Sequence, residues 1–584
     1  MFILGLSPFT HNASAALFDR GVIKAAIEDN KLVRSDTHGL PEAAMRYCLE
    51  KGGIGWGDLG VVAVASRPFR RWMRRSFSLL GRMYSSPLAN IYCEANELGT
   101  LARQLSELRQ LEHENGPCNF KILCLDHHLC HAASAFFLSP FDAALVLTLD
   151  EEGDGKSGVV GVGEANQIRI AESIPFPHSL AWVYSQITEF LGFVPRKEEH
   201  KTQWLSIEGE PRFKEIMLEM LREPGSPLPH LNPRFVERDA IGRLKLSPTF
   251  SRRAGLPERG AELGEEERRA VASSLQQACF EIALEMVKHF QRRHGLQNVC
   301  LGGGLFQNVV LVAALEKELG RDQVFVPPAP GNAGCAVGAG LLTWHQLMRK
   351  PRAERVSHVY WGPSYKADDV RDVMENSKAR YFFQDTEQRR LDTAIQLLQA
   401  GKIIGWFQGA VEFGPRALGN RSLLASPWAP YVKENLNDHI KHREWFRPFA
   451  IAVPEDDCSR FFECSRLCRF MNSLGTVRSD TRILPDGFTL PGNQVRLHVV
   501  EERANPMFWR LLKHFGTVAP APMLINTSFN LAGEPLVARP RDAFRSYFCS
   551  GIDVLIIGNF VLSKSPVSGA FKPQLMSVVQ KERG

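Results

Sequence analysis

The basic side chains Arg416, Arg421, Lys441, Arg443 and Arg447 all fall within the stretch VEFGPRALGNRSLLASPWAPYVKENLNDHIKHREWFRPF, residues 411–449. Only Glu412, Glu434, Asp438 and Glu444 oppose them there. Guanidinium groups grip phosphate and carboxylate oxygens in a fork, and a lysine adds a point charge. Phe413, Leu418, Phe446 and Phe449 are interleaved with the basic residues. Aromatic and aliphatic side chains at that density belong in a core, so the charges are expected in an anion-binding cleft rather than on a solvated face. Gly414, Pro415 and Gly419 supply turns that let the backbone approach a ligand. The spacing of Leu436 and Ile440 predicts a helix over 435–444, with Asn437, Lys441 and Glu444 on the adjoining face.

Other residues offer different chemistry. In DHHLCHAASAFF, residues 126–137, His127 and His131 are one helical turn apart and point the same way, as two ligands of one metal must. Asp150 ends the apolar run that follows and is a third candidate ligand. Gly302-Gly303-Gly304 follows a predicted strand, with Asn308 close behind, and Gly331 opens a second glycine-rich turn. Strand–glycine turn–helix junctions leave backbone N–H groups free for phosphate or ribose, so Gly303, Gly304, Asn308 and Gly331 are candidate nucleotide contacts. PMLINTSFNLAGE, residues 522–534, sets Asn526, Ser528 and Asn530 after a buried strand, where they suit either ligand contact or a helix start. His11 and Asn12 lie in a polar loop after the first apolar run.

These residues need elements to hold them. Residues 2–29 read as strand, polar loop and hairpin, with a turn at Asp19-Arg20-Gly21. Residues 143–172 repeat that plan: a strand to Leu149, a polar loop over 150–155, and a hairpin turning near Ala165. Two copies in one chain suggest an internal duplication of the actin-like kind, in which paired loops face a nucleotide cleft. A long helix is expected over 265–293, a linker over 350–368, and a second domain beyond it. Residues 222–260, rich in Pro and Arg, read as an excursion. Residues 67–82 read as a basic amphipathic helix packed on its own domain.

Composition removes several function classes. A net charge of +6 over 584 residues is too small to argue for nucleic acid. No run of eighteen apolar residues exists, so no integral membrane segment is expected, and the first residues lack the pattern of a leader. The cysteines are scattered, and Cys124, Cys279, Cys300 and Cys549 sit in apolar strings, which fits buried, reduced thiols and a cytoplasmic location.

EFGPRALGNRS, followed by the K-x-R-E-x-F-R-P-F segment, resembles the signature of the O-carbamoyltransferases of the NodU/CmcH type. The similarity continues in the HHxxHAxSAF pattern, in NTSFNxxGEP and in the His11-Asn12-x-Ser14 loop. It implies an α/β protein with a duplicated actin-like (ASKHA) N-terminal domain, 1–355, and a YrdC-like C-terminal domain, 356–584. It implies that the second domain makes carbamoyl-adenylate from carbamoyl phosphate and ATP, and that the first transfers the carbamoyl group to a hydroxyl of a small molecule or glycan. Arg416, Lys441 and Arg447 match the family's catalytic cations. Arg421, Arg496, Asn526, Ser528 and Asn530 match its substrate contacts, and His127, His131 and Asp150 its metal ligands. His11 is the candidate base. The ion is iron-like or magnesium, and a homodimer is compatible with the family.

Three segments depart from the pattern. Asn332 stands where the family has a ligand aspartate, which weakens the metal site. Residues 199–209 keep Glu199 and Lys201 but lose the usual Met-Gly-Leu-Ala core. His498 and Val499 replace a Gln-Thr pair beside Arg496. These changes leave room for a non-catalytic protein that binds nucleotide or carbamoyl phosphate.

Overall fold

The structure is a computed structural model that describes residues 1–8, 12–35, 39–67, 120–240, 242–258, 262–352, 356–481 and 483–564. His11 and the basic stretch beyond Arg67 lie outside the described residues.

The strand–loop–hairpin plan is present twice. Strands β1 (Phe2–Ser7), β2 (Ser14–Asp19), β3 (Val22–Glu28), β4 (Leu59–Val64) and β5 (Lys121–Cys124) form a sheet of order β3-β2-β1-β4-β5. Strands β6 (Ala143–Gly153), β7 (Lys156–Glu164) and β8 (Gln167–Pro175) join β11 (Val299–Gly302) and β12 (Val324–Phe325) in the order β12-β11-β6-β7-β8. In both sheets the hairpin strands pair antiparallel and the other two neighbours pair parallel. Arg20 and Gly21 at the first hairpin turn both have positive φ, as a two-residue connection matching strand twist requires. The second sheet differs from the sequence reading in one respect. β6 does not stop at Leu149 but continues, through a register shift, to Gly153. Asp150 therefore sits where the ladder is interrupted rather than in a free loop. Strands β9 (Val236–Arg238) and β10 (Leu244–Leu246) form a separate hairpin in the 222–260 excursion.

Between the two sheets run the His127–Phe137 and Gly334–Leu341 helices. A Cβ on Gly338 would fall 1.9 Å from the Cys130 carbonyl oxygen, so only glycine permits this approach. The contact fixes the depth of the helix that carries His127 and His131.

The third sheet has ten strands. They are β13 (Phe382–Phe383), β14 (Ile404–Phe407), β15 (Arg421–Ala425), β16 (Ala450–Pro454), β17 (Phe462–Glu463), β18 (Leu474–Val477), β19 (Gln494–Val500), β20 (Leu524–Ser528), β21 (Val554–Ile557) and β22 (Phe560–Ser563). Their order is β13-β22-β21-β14-β15-β20-β16-β19-β18-β17. Successive residues point to opposite faces. Ile404, Trp406 and Leu424 pack with the Glu387–Gln399 and Pro506–Phe515 helices, while Phe407, Leu423 and Ala425 pack with the Pro540–Phe548 helix. Both faces are covered, which explains the near-continuous apolar runs.

The first and third sheets are tied through the 411–421 segment. Lys31 Nζ donates to the carbonyls of Glu412 and Gly414 at 2.8 Å each and pairs with Glu28 at 2.8 Å. Gly414 N–H donates to the other Glu28 oxygen at 2.8 Å. All four groups are buried, so the pair is satisfied on both sides.

Two further expectations are corrected. The helix predicted to Glu444 ends at Lys441, because His442 adopts φ 43° and turns the chain; Glu444 therefore does not share a helical face with Lys441. Cys279 and Cys300 are buried as expected, but Cys124, at the end of an edge strand, and Cys549, at a helix C-terminus, are exposed. No helix among the described residues is long and apolar enough to cross a membrane.

Candidate functional site

The loop between β14 and β15 is wound around one carboxylate. Glu412 is fully buried, and its Oε1 accepts from the backbone N–H groups of Leu418, Asn420 and Arg421 at 2.9, 2.8 and 3.1 Å. Gly419 closes the turn at φ 96°, where a Cβ would lie 2.3 Å from the Phe508 ring. Arg421, also fully buried, donates to the carbonyls of Gln408, Asn420, Pro363 and Gly409, and its guanidinium stacks 3.6 Å over Phe407. Its donors are thus spent on the wall of the loop. Burial lowers it to about 10, with Glu412 opposing.

This scaffold presents Arg416 toward Arg447 and Arg496, which in turn neighbour Arg443 and Lys441. Arg416 makes one hydrogen bond, Nη2 to the Gln307 carbonyl at 3.1 Å. Arg496, on β19, lies 5.7 Å above the Trp204 ring. Arg443 is held by Asn437 at 2.8 Å and by the face of Phe449 at 3.9 Å. Lys441 Nζ donates to the Ser528 carbonyl, to the Asn530 carbonyl at 3.1 Å and to Asn530 Oδ1 at 2.7 Å. Asn526 is behind this layer, donating to the Ala417 carbonyl at 3.1 Å and contacting His498. Arg421 and Asn526 thus build the wall; Lys441, its three donors taken by Ser528 and Asn530, packs beside it, and Arg416, Arg447 and Arg496 lie with it as one group of neighbouring cations.

The electrostatics follow from crowding. Burial, then Arg447, lowers Arg416 to about 10 and Arg443 to about 9. Lys441 and Arg496 are held well below their usual ranges by burial and by the neighbouring arginines. Among the described residues the nearest acid is Glu444, 3.7 Å from Arg447, and it is shared with Lys201. The Nε atoms of Arg416, Arg447 and Arg496 are shielded and make no hydrogen bond. Neighbouring cations with too little negative charge around them fit a polyanion.

A second centre lies on the His127–Phe137 helix. Asp126 caps it, accepting from Leu129 N–H at 3.2 Å, and Asp154 accepts from His127 N–H at 2.8 Å. His127 Nε2 and His131 Nε2 are 3.1 Å apart, and Asp150 Oδ2 lies 3.5 and 2.8 Å from them. His128 faces away, to Thr148 and the Lys156 carbonyl. Burial works against charge on His127, but Asp150 outweighs it and raises the ring. The two imidazoles likewise draw Asp150 well below its usual range although burial opposes them. Two imidazole nitrogens and a carboxylate oxygen within 3.5 Å of one another fit a divalent ion. Cys335 Sγ approaches within 4.8 Å of both histidine nitrogens. The sequence reading missed it, although it follows the turn containing Asn332. Asn332 itself is buried and its carbonyl accepts from Ser7 at 2.7 Å.

One short turn touches both centres. A Cβ on Gly304 would lie 2.9 Å from Asp150 Oδ1, and three residues later the Gln307 carbonyl accepts from Arg416. Gly303 has φ 97° and donates to the Pro330 carbonyl at 2.8 Å, while the Gln307 side chain lies against Gly331. Asn308 caps the next helix through Leu311 N–H at 3.0 Å and donates to Gln276 and Tyr184. Its side chain is therefore engaged within the fold. Gln307 and Glu412 carried no signal in the sequence beyond their neighbours.

The chain matches the family model described as carbamoyltransferase N-terminus over residues 2–341, and carbamoyltransferase C-terminus over residues 395–564. It is 32% identical over 571 residues to nodulation protein NolNO of Sinorhizobium fredii, covering 96% of this chain and 80% of that protein. It is 34% identical over 450 residues to nodulation protein NolO of Bradyrhizobium diazoefficiens, covering 76% and 80%. Similarity to the 3'-hydroxymethylcephem-O-carbamoyltransferase of Amycolatopsis lactamdurans is 30% over 247 residues, covering 42% and 45%.

Proposed function

The chain belongs to the carbamoyltransferase family, and on that premise we propose that it makes carbamoyl-adenylate from carbamoyl phosphate and ATP and passes the carbamoyl group to a hydroxyl. The observation that carries this reading is the grouping of Arg416, Lys441, Arg447 and Arg496 beside a turn that also borders the His127–His131–Asp150 centre. The two sheets of equal order and polarity support a duplicated actin-like unit over 1–355. The ten-stranded sheet supports a separate C-terminal unit over 356–584, which we take as YrdC-like.

In the first half-reaction water cleaves carbamoyl phosphate to carbamate and phosphate. A carbamate oxygen then attacks the α-phosphorus of ATP, forming an O–P bond, and pyrophosphate leaves. Arg416, Arg447 and Arg496 hold the phosphate oxygens on which charge accumulates, with no reorganisation at the moment of reaction. Lys441 orients Ser528 and Asn530 and adds its charge to the leaving pyrophosphate. The mixed anhydride hydrolyses readily, so the shared Gly304–Gln307 turn, which borders both centres, supports a short path from the cations to the second centre.

In the second half-reaction the acceptor oxygen attacks the carbamoyl carbon, and AMP leaves. His127, His131 and Asp150 would hold a divalent ion, iron-like or magnesium, which when bound supplies Lewis-acid polarisation of the carbamoyl carbonyl. Gly303, Gly304 and Gly331 shape the adenosine side of the cleft. His11 accepts the proton from the hydroxyl. The acceptor class is a small molecule or glycan, as the hydroxymethylcephem named for one relative illustrates.

Pyrophosphate release from ATP, measured without acceptor, tests the reading. Release should require carbamoyl phosphate and be lost in Arg416→Ala; release that ignores carbamoyl phosphate, or none from folded protein, refutes it.

A further inference from the structure

The cation cluster contains one group of opposite hydrogen-bonding character. His200 and Trp204 lie one turn apart on the Glu199–Leu205 helix and share a face. Trp204 lies under Arg496, and Lys201, beside His200, pairs with Glu444 at 2.5 Å. His200 is therefore turned into the cluster. Its Nδ1 is 3.2 Å from the Lys197 carbonyl oxygen. A carbonyl can only accept, so Nδ1 carries the hydrogen and Nε2 presents a lone pair. Nε2 is shielded from solvent and makes no hydrogen bond. Burial first, then Arg447, Arg416 and Lys201, lowers the ring to about 3, which keeps it neutral.

The neighbouring arginines and Lys441 can only donate. The Ser528 carbonyl and the Asn530 oxygens already accept from Lys441. Among the described residues of the cluster the buried acceptors left open are His200 Nε2 and Glu444 Oε2, and the latter is the negative partner of Arg447 at 3.7 Å, which leaves His200 Nε2 as the neutral one. A phosphate oxygen would be repelled by it, whereas an N–H of the ligand would be bound. In carbamoyl phosphate the only N–H groups are those of the carbamoyl amine.

We infer that His200 accepts a hydrogen bond from the carbamoyl amino group and so selects carbamoyl phosphate over acyl phosphates that carry a methyl group in its place. The inference rests on the adenylation reading above. His200 reads one end of the substrate while the arginines bind the other, and the helix that carries it belongs to the N-terminal half. It lies in the 199–209 segment, where the sequence departs from its family.

The test measures kcat/KM for carbamoyl phosphate in pyrophosphate release, and the inhibition constant of acetyl phosphate as a competitor, in wild type, His200→Phe and His200→Gln. Phenylalanine keeps a ring and removes the acceptor; glutamine keeps an amide oxygen. In His200→Phe, kcat/KM for carbamoyl phosphate should fall about 10- to 100-fold while acetyl phosphate binds as well as before or better. Glutamine should recover part of the loss. Equal changes for both ligands, or none for either, overturn the inference while leaving adenylation intact. Absence of carbamoyl phosphate-dependent release in wild type would instead overturn the adenylation reading and the inference with it.

Discussion

Replacing Arg416 by methionine separates two properties that the cation cluster combines, a cost to the ligand-free fold and an affinity for anions. Burial and Arg447 lower its guanidinium from its usual range to about 10. The folded protein then binds that proton less tightly than the unfolded chain, so at neutral pH the charge counts against folding, and the cost lapses only above about pH 10. At about 1.4 kcal/mol per pH decade the depression corresponds to at most about 3.5 kcal/mol. Screening at this half-buried position leaves roughly 1–2 kcal/mol. Methionine keeps much of the apolar stem but loses the Gln307 hydrogen bond, about 1 kcal/mol. The two effects nearly cancel, so Arg416→Met should match wild type to within about 1 kcal/mol in anion-free buffer.

Pyrophosphate should separate the two proteins. A ligand at a hundredfold its Kd stabilises the state that binds it by about 2.7 kcal/mol. Losing one charge-assisted contact removes about 1.5–3 kcal/mol of affinity, so at that concentration the variant should forfeit most of the gain. Scanning fluorimetry across a pyrophosphate titration reads both quantities. A variant that melts far below wild type without anion, yet gains as much from pyrophosphate, would show that Arg416 is a structural residue and refute the reasoning.

Three further outcomes are expected. Burial lifts the Glu316 carboxyl to about 7, against hydrogen bonds from Ser465 and Ser473. The folded state favours its protonated form, so its contribution is full below about pH 4.5 and is lost as pH rises through about 7. Glu316→Gln, which imitates the neutral form, should flatten the Tm profile between about pH 5 and 8, and an unchanged slope would contradict the assignment. Wild-type protein equilibrated with Fe²⁺ or Mg²⁺ should retain about one ion per chain by elemental analysis, and Asp150→Asn or His131→Ala should retain less than about a tenth of that; equal retention would place the ion elsewhere. Gly419→Ala forces a Cβ into the Phe508 ring at a positive φ and should cost about 2–4 kcal/mol, read as a lowered Tm, with a loss below about 0.5 kcal/mol counting against the packing argument.

The parts of the fold that were legible in the sequence are those set by local pattern. Two apolar runs on either side of the turn at Asp19-Arg20-Gly21 give the first hairpin, and His127 and His131 are recognisable because a helix fixes their common direction. What escaped depends on distant partners. Glu412 reads as one acid among many until three N–H groups close on it. Lys31 is an ordinary lysine until the 411–421 segment crosses β3. His200 is a spacer between two matched residues until its helix meets the arginines of the other half. The helix over 435–444 was overextended because residue spacing carries no information about the φ of His442. Cys124 read as core because an apolar string does not reveal that its strand is at an edge.

The central claim is that the cation cluster makes a carbamoyl-adenylate. Isotope-labelled carbamoyl phosphate and ATP, mixed with enzyme and no acceptor and quenched within seconds, should yield labelled carbamoyl-AMP by mass spectrometry at up to about one equivalent per active site, a burst that only a retained intermediate gives. Arg416→Ala should yield none. Formation of ADP and phosphate with no labelled adenylate, from protein that binds both substrates, would contradict the account.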